Sequence, residues 1–288
     1  MQPELAVGEA VRAFCVHLLG EARHPLDDRS TPDGTAIHDF RRAMKRWRAL
    51  LRLLSSPLGE ESDTLREEAR DLARLLSSAR DLQSSLDAFN DLTSHGLMLS
   101  ERTLAVIRHR LVGEIAMGEA TVLTPETRER LTAGLDRASA AVDCWPLQAL
   151  SFDDIAAGLT RGYRAARRAQ PDDWHDADDE ALHDLRKRII DHRYQMTLVE
   201  PLWPRFLRVW IGEAQRLRER LGHHQDLTVL KALTAPHRPL AHWRSRIIPA
   251  LTDRQARHAV VAKRIASRLL VERPGSFRRR LTTIWSTA

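Results

Sequence analysis

The sequence predicts an all-α protein, and three observations support that fold class. Leu, Ala, Arg and Glu dominate the composition, and runs of β-branched residues are nearly absent. Glycine and proline number only 13 each in 288 residues, which is few for a chain of this length. Hydrophobic residues make up 43% and charged residues 29%, so the chain is globular and long enough to build a substantial core.

Five helices are predicted in the first half of the chain. Pro25, Pro32 and Gly34 each disfavour a helix, so the loop HPLDDRSTPDGT separates the first two, and Thr35 or a neighbour caps the second. Pro125 follows Thr124 and suits the first turn of a helix. The predicted helices cover about 4–22, 35–54 and 61–89, with two more beginning near 101 and 125.

Five more segments with helical periodicity follow. The acidic loop PDDWHDADDE separates the first two of them, and Pro201 and Pro204 end the second. Pro274-Gly275 separates the last two, and an inner break at Pro249 is allowed by the pattern. The predicted helices cover about 152–168, 180–200, 206–233, 240–271 and 277–285.

The segment 37–54, IHDFRRAMKRWRALLRLL, has two sharply different faces when it is placed on a helix. One face is apolar and includes Trp47. The other is basic along about 21 Å of helix and has no acid after Asp39. Like charges spaced in this way repel one another, so an extended anionic ligand would offset the cost. The basic face comprises His38, Arg41, Arg42, Lys45, Arg46, Arg48 and Arg52.

The net charge of +6 and the pI of about 10.0 favour anionic partners. Only four of the 45 basic residues are lysines, and arginine is better suited to bidentate phosphate binding. A GC-rich coding sequence would produce the same arginine bias. The two cysteines, Cys15 and Cys144, have no paired spacing, which is typical of a reducing cytosol. We expect no signal peptide and no membrane span, and therefore a cytoplasmic protein.

An internal repeat organises the chain. A shift of 145 residues places His38-Asp39 on His183-Asp184 and Asp81-Leu82 on Asp226-Leu227. The offset holds without a gap over about 45 residues. The repeat predicts two homologous helical bundles of about four long helices each, one over residues 1–146 and the other over residues 147–288.

The basic segment and its repeat, ALHDLRKRIIDHRYQMTLVEPLWP, resemble those of the CHAD (conserved histidine α-helical) domain family, as do LLSSARDL and RLGHHQDL. This resemblance covers essentially the whole chain. It implies two bundles related by a pseudo-two-fold axis, which together form one CHAD domain. Their basic faces are expected to line a cleft or pore that binds inorganic polyphosphate. It also implies an association with polyphosphate granules.

The resemblance carries specific residues into the expected site. Tyr163 belongs to a Tyr-Arg element on the helix before the second basic one. Asp81 and Asp226 are expected to orient the cations rather than touch the anion. The expected polyphosphate-binding residues are His38, Arg41, Arg42, Lys45, Arg46, Arg48, Arg52, Arg164, Arg167, His183, Arg186, Lys187, Arg193 and Tyr194.

The second half departs from the pattern at three positions. Ile190 stands where a basic residue is expected, Asp191 stands where the first half has Arg46, and Gln225 stands where it has Arg80. We therefore expect a smaller electrostatic contribution from the second half, and whether its basic face contributes equally is left open.

Two other functions compete with polyphosphate binding. A nucleic-acid-binding helical protein is the alternative, although single-strand binders interleave basic residues with exposed aromatic ones and Trp47 lies opposite the arginines. A metal-dependent phosphohydrolase using His38 or His183 is a third hypothesis. It is disfavoured because the neighbouring arginines would repel a cation. The sequence offers no nucleophile and no Gly-rich phosphate loop, so we expect no enzyme activity, no cofactor and no metal.

Overall fold

The computed structural model describes residues 5–76, 80–117 and 123–288. All regular secondary structure in these residues is helical, which confirms the predicted fold class. The first half holds α1 (Val7–Asp27), α2 (Asp33–Leu53), α3 (Ser55–Leu58), α4 (Glu60–Arg74), α5 (Arg80–Ser94), α6 (Glu101–Met117) and α7 (Pro125–Cys144). The second half holds α8 (Phe152–Arg168), α9 (Asp179–Val199), α10 (Pro204–Ala232), α11 (Arg244–Leu269) and α12 (Pro274–Ser286).

Side chains cap several helices where the sequence leads one to expect it. The Thr124 hydroxyl accepts from the Thr127 amide 3.1 Å away, and Pro125 occupies the first turn of α7 as predicted. Ser151 and Asp154 cap each other's backbone amides at the start of α8. These contacts satisfy amides that the helices themselves leave without partners.

Several predicted helix limits were wrong. Pro25 lies inside α1 rather than ending it, because in the last turn a proline removes only the bond to the Glu21 carbonyl. The second helix begins at Asp33, so Thr35 is not its cap. The helix predicted over 61–89 is divided into α4 and α5, and the sequence LLSSA between them has no proline or glycine to indicate the break.

The apolar core forms two clusters, and each draws on both halves of the sequence. The larger joins α1, α2, α4 and α7 with α8, α9, α12 and parts of α10 and α11. The smaller packs α5 and α6 against the last turns of α10 and the first turns of α11. The predicted boundary at 146/147 immediately precedes a short 3₁₀ turn, Leu147–Ala149. The apolar packing therefore crosses the predicted boundary.

The packing of α2 fixes the orientation of its basic side. Its apolar face is buried, and the Trp47 ring stacks on Trp145 with ring centres 5.9 Å apart. α2 also contacts α9, where the Gln195 amide nitrogen donates to the Ala49 carbonyl at 3.0 Å. Gly158 of α8 packs so closely against the end of α2 that an added Cβ would be 2.4 Å from the Leu53 carbonyl oxygen. These contacts hold the two basic helices side by side.

Candidate functional site

The basic residues of α2 divide between two sides of the helix. Arg41 and Lys45 line a cleft shared with α9 and α10. Arg42 and Arg46 line a separate groove between α1 and α2. The division follows from the helix geometry, since adjacent positions are rotated by about 100°. The predicted single basic face is therefore two surfaces with different neighbours.

The cleft encloses about 400 Å³ and is bounded by α2, α9, α10 and the first turns of α5. We call it the α2–α9–α10 cleft. Its lining residues are Arg41, Lys45, Ser84, His183, Arg186, Arg218, Glu219, Gly222, His223, Gln225, Asp226 and Val229. Residues 145 apart in the sequence, Arg41 and Arg186, thus meet in one site.

The charges of this lining favour an anion. Four side chains are permanently basic and two are histidines, whereas Glu219 and Asp226 supply the carboxylates. The Glu219 carboxylate also accepts from the Gln215 amide at 2.5 Å. An anion in the cleft would therefore meet cations from three helices at once, with the carboxylates confined to α10.

Two further arginines of the repeat, Arg48 on α2 and Arg193 on α9, are half-buried. The Nε atoms of both are buried and have no hydrogen-bond partner among the described residues. Burial lowers the pKa of Arg48, and the nearby Arg52 lowers it further. Burial also lowers the pKa of Arg193, whose guanidinium lies 4.1 Å from the centre of the Tyr194 ring. Neither arginine is among the residues that line the α2–α9–α10 cleft.

The two predicted histidines occupy different environments. His38 is exposed and lies one turn before Arg41 on α2. His183 lines the cleft, and burial lowers its pKa, as do the nearby charges of Lys187 and Arg186. The Gln225 side chain hydrogen-bonds to His183. His183 therefore lies in the cleft among cations that disfavour its protonated form.

Three predicted binding residues of α2 have carboxylate partners. Arg46 forms an ion pair with Glu21 of α1, and Arg52 forms one with Asp191 of α9. Arg42 lies 3.4 Å from the carboxylate of Asp39. Lys187 of α9 is exposed and does not line the cleft.

The structure does not bring the predicted residues of α8 to the cleft. The Arg167 Nε donates to the Leu270 carbonyl at 3.1 Å, at the end of α11, and Arg164 is exposed. Tyr163 is buried against Phe277 with ring centres 4.3 Å apart, and burial raises its pKa to about 12. Asp226 does line the cleft, whereas the side chain of Asp81 lies outside the described residues.

The α10 wall of the cleft is where sequence reasoning missed most. Arg218 and His223 were not predicted to bind the ligand, and both line the cleft. A signal existed, because Arg218, Gly222, Gln225 and Val229 are spaced by four, three and four residues and so share one helix face. The Arg186 guanidinium lies against this face, 3.6 Å from where a Cβ on Gly222 would be.

Two further observations concern metal ions and membranes. In the described part of the chain, no group of three or more His, Cys, Asp or Glu residues is arranged to hold a metal ion. None of the helices in the described residues combines the length and hydropathy needed to cross a bilayer.

Comparison with known proteins identifies the relatives of this fold. The family model described as the CHAD domain matches residues 9–235. The crystal structure of the CHAD domain from the plant Ricinus communis is similar, with a TM-score of 0.68 and 18% identity over 95% of this chain and 94% of that one. PptA from Streptomyces chartreusis is also similar, with a TM-score of 0.66 and 17% identity over 92% of this chain and 99% of that one. No curated protein matches the sequence.

Proposed function

Because the chain belongs to the CHAD domain family, we propose that it binds inorganic polyphosphate in the α2–α9–α10 cleft. One observation carries the proposal: Arg41 and Lys45 of α2, Arg186 of α9 and Arg218 of α10 line the same cleft. A polyphosphate chain offers oxyanions in series and no bases. It therefore matches a site that has many donors and no Phe, Tyr or Trp in its described lining.

The energetic argument rests on crowded cations. Arg41, Lys45, Arg186 and Arg218 line one cleft, and bringing like charges together there costs free energy. A polyanion bound in the cleft would offset that repulsion. Release of counterions from the polyphosphate would add a favourable term that weakens steeply with salt.

We propose that binding is not accompanied by catalysis. The cleft lining presents arginines, a lysine and histidines, and the one hydroxyl in its described lining is that of Ser84. A role in the cytoplasm, including localisation to polyphosphate granules, is part of the same proposal.

Competition binding tests the proposal against its nearest alternative. Labelled long-chain polyphosphate bound to the protein is challenged with unlabelled polyphosphate or single-stranded RNA at equal phosphate concentration. We expect polyphosphate to displace the label far more effectively than RNA. Stronger displacement by RNA would favour a nucleic-acid-binding protein instead.

A phosphate-release assay tests the absence of catalysis. The protein is incubated with polyphosphate and with Mg²⁺, Mn²⁺ or Zn²⁺, and free phosphate is measured over time. We expect no release above the rate without protein. Turnover that His183→Ala abolishes would contradict the non-catalytic proposal and support a phosphohydrolase.

A further inference from the structure

The row of cations on α2 continues past the cleft. Arg48 and Arg52 follow Lys45 by three and seven residues, and therefore lie on the same side of the helix over about 10 Å of rise. Arg66 and Arg70 of α4 lie close enough to Arg48 to depress its pKa further, after burial and Arg52. Taken alone, these arginines would extend the phosphate path beyond Lys45.

A single carboxylate interrupts this continuation. The Asp191 side chain is only 15% exposed and forms an ion pair with Arg52, whose side chain is 35% exposed. Burial raises the pKa of Asp191, while Arg52, Arg48 and Arg188 act in the opposite direction. The Asp191 carboxylate thus contacts one of the arginines that would extend the path and lies near another.

The internal repeat makes this position distinctive. Asp191 is 145 residues after Arg46, so α9 presents an acid where α2 presents a base. Replacing a base by an acid at this position of the repeat changes the local charge by two units. It acts across the helix contact, because the partner of Asp191 is Arg52 of the other repeat.

We propose that Asp191 ends the phosphate path, so that it limits the length of polyphosphate held by the site. This inference rests on the proposed function. The Asp191 carboxylate accepts from Nη1 of Arg52 and lowers the positive potential around Arg48, as a bound phosphate would. A chain that enters the cleft at Arg41 and Lys45 therefore gains little from continuing toward Arg52.

The other interpretation is that Asp191 only fastens α9 to α2. A fastening role predicts that its removal lowers thermal stability and leaves the dependence of affinity on ligand length unchanged. If Asp191 instead ends the phosphate path, its removal should change how affinity depends on ligand length. Measuring both quantities on the same variants therefore separates the two roles.

The experiment compares Asp191→Asn with Asp184→Asn. Asp184 is on the same helix, is 44% exposed and lies 3.4 Å from Arg188, so both variants lose one negative charge beside an arginine. Affinity is measured by titration with polyphosphates of defined length at several salt concentrations. Circular dichroism and thermal unfolding accompany each titration.

For Asp191→Asn we expect affinity to keep increasing at chain lengths where the wild-type protein has reached its plateau. The longest chains should bind about fivefold more tightly, and the slope of log affinity against log salt should steepen by about 0.7 for each added phosphate contact. Short chains should bind as they do to the wild-type protein. Asp184→Asn should leave the plateau length unchanged.

Arg52→Gln provides a second test that does not depend on the folding of Asp191→Asn. Because Arg52 is already neutralised, its removal should alter wild-type affinity for long chains by less than about twofold. A loss of tenfold or more would show that Arg52 binds phosphate despite Asp191, and would overturn the inference. So would identical length dependence in Asp191→Asn and Asp184→Asn. Failure of the wild-type protein to bind any length would instead contradict the proposed function and remove the basis of this inference.

Discussion

Two neighbouring pairs of cations should differ in their contribution to binding. Arg41 and Arg186 line the α2–α9–α10 cleft, whereas Arg42 and Lys187, one residue further along the same helices, do not. The double variant Arg41→Gln/Arg186→Gln removes two charges from the cleft. Its matched control, Arg42→Gln/Lys187→Gln, removes two charges from the same helices outside it. Any difference between the two variants reports the location of the site rather than the net charge.

The expected loss follows from the contacts that each guanidinium can make. A hydrogen bond to a charged group contributes about 1.5–3 kcal/mol, and partial exposure of the cleft reduces this to about 1–1.5 kcal/mol for each arginine. The cleft variant should therefore lose about 2–3 kcal/mol, or about 30- to 150-fold in affinity. At physiological salt the screening length is about 8 Å, so the control should lose less than about threefold.

The assay is a fluorescence titration with long-chain polyphosphate at salt concentrations between about 50 and 200 mM. The slope of log affinity against log salt should fall by about 1.4 in the cleft variant, because two phosphate contacts are lost. Circular dichroism should find the helix content of both variants unchanged. Arg41 also donates to the Leu76 carbonyl, which is why glutamine is chosen to retain a donor. Equal losses in the two double variants would refute the assignment of the cleft.

Three further predictions concern pH and packing. An adjacent phosphate should raise the depressed pKa of His183, so affinity for polyphosphate should rise by about threefold as pH falls from 8 to 6. The variant His183→Asn should flatten this dependence of affinity on pH. If the dependence is the same in the variant, His183 has no role in it. Burial lowers the pKa of His192 to about 3, so at pH 5 this side chain is protonated only in the unfolded state. The free energy of unfolding should therefore be about 2 kcal/mol lower at pH 5 than at neutral pH or above. Chemical denaturation should show that His192→Gln removes this loss. Gly158→Ala should destabilise the protein by about 1–3 kcal/mol, since its Cβ would be 2.4 Å from the Leu53 carbonyl oxygen. Gly212→Ala, where nothing lies within 4 Å, should stabilise α10 by about 0.5–1 kcal/mol, and the opposite order of melting temperatures would contradict the packing described.

Periodicity and repetition were sufficient to predict the fold class and the two central helices. The alternation along α2 follows from a helical period that needs no knowledge of neighbours, and Trp47 is buried on the apolar side as expected. The 145-residue offset also indicated that His183 and Arg186 belong with Arg41, and both line the cleft with it. Local pattern was enough for these features because each depends on positions within one helix or its repeat.

The division of the basic face could not be predicted, because it depends on tertiary partners. Arg46 meets Glu21 from α1, and Arg52 meets Asp191, which is 139 residues away in sequence. Helix geometry distinguishes Arg41 from Arg42 by rotation alone and does not say which neighbour covers which side. The wall supplied by Arg218 was missed for a related reason, since residue spacing defines that face of α10 but only packing places the face on the cleft.

A crystal structure of the protein with a polyphosphate of defined length tests the central claim most directly. The account predicts phosphate density in the α2–α9–α10 cleft, within hydrogen-bonding distance of Arg41, Lys45, Arg186 and Arg218. Phosphates located in the groove between α1 and α2, or along exposed arginines such as Arg164, with the cleft left empty, would contradict it.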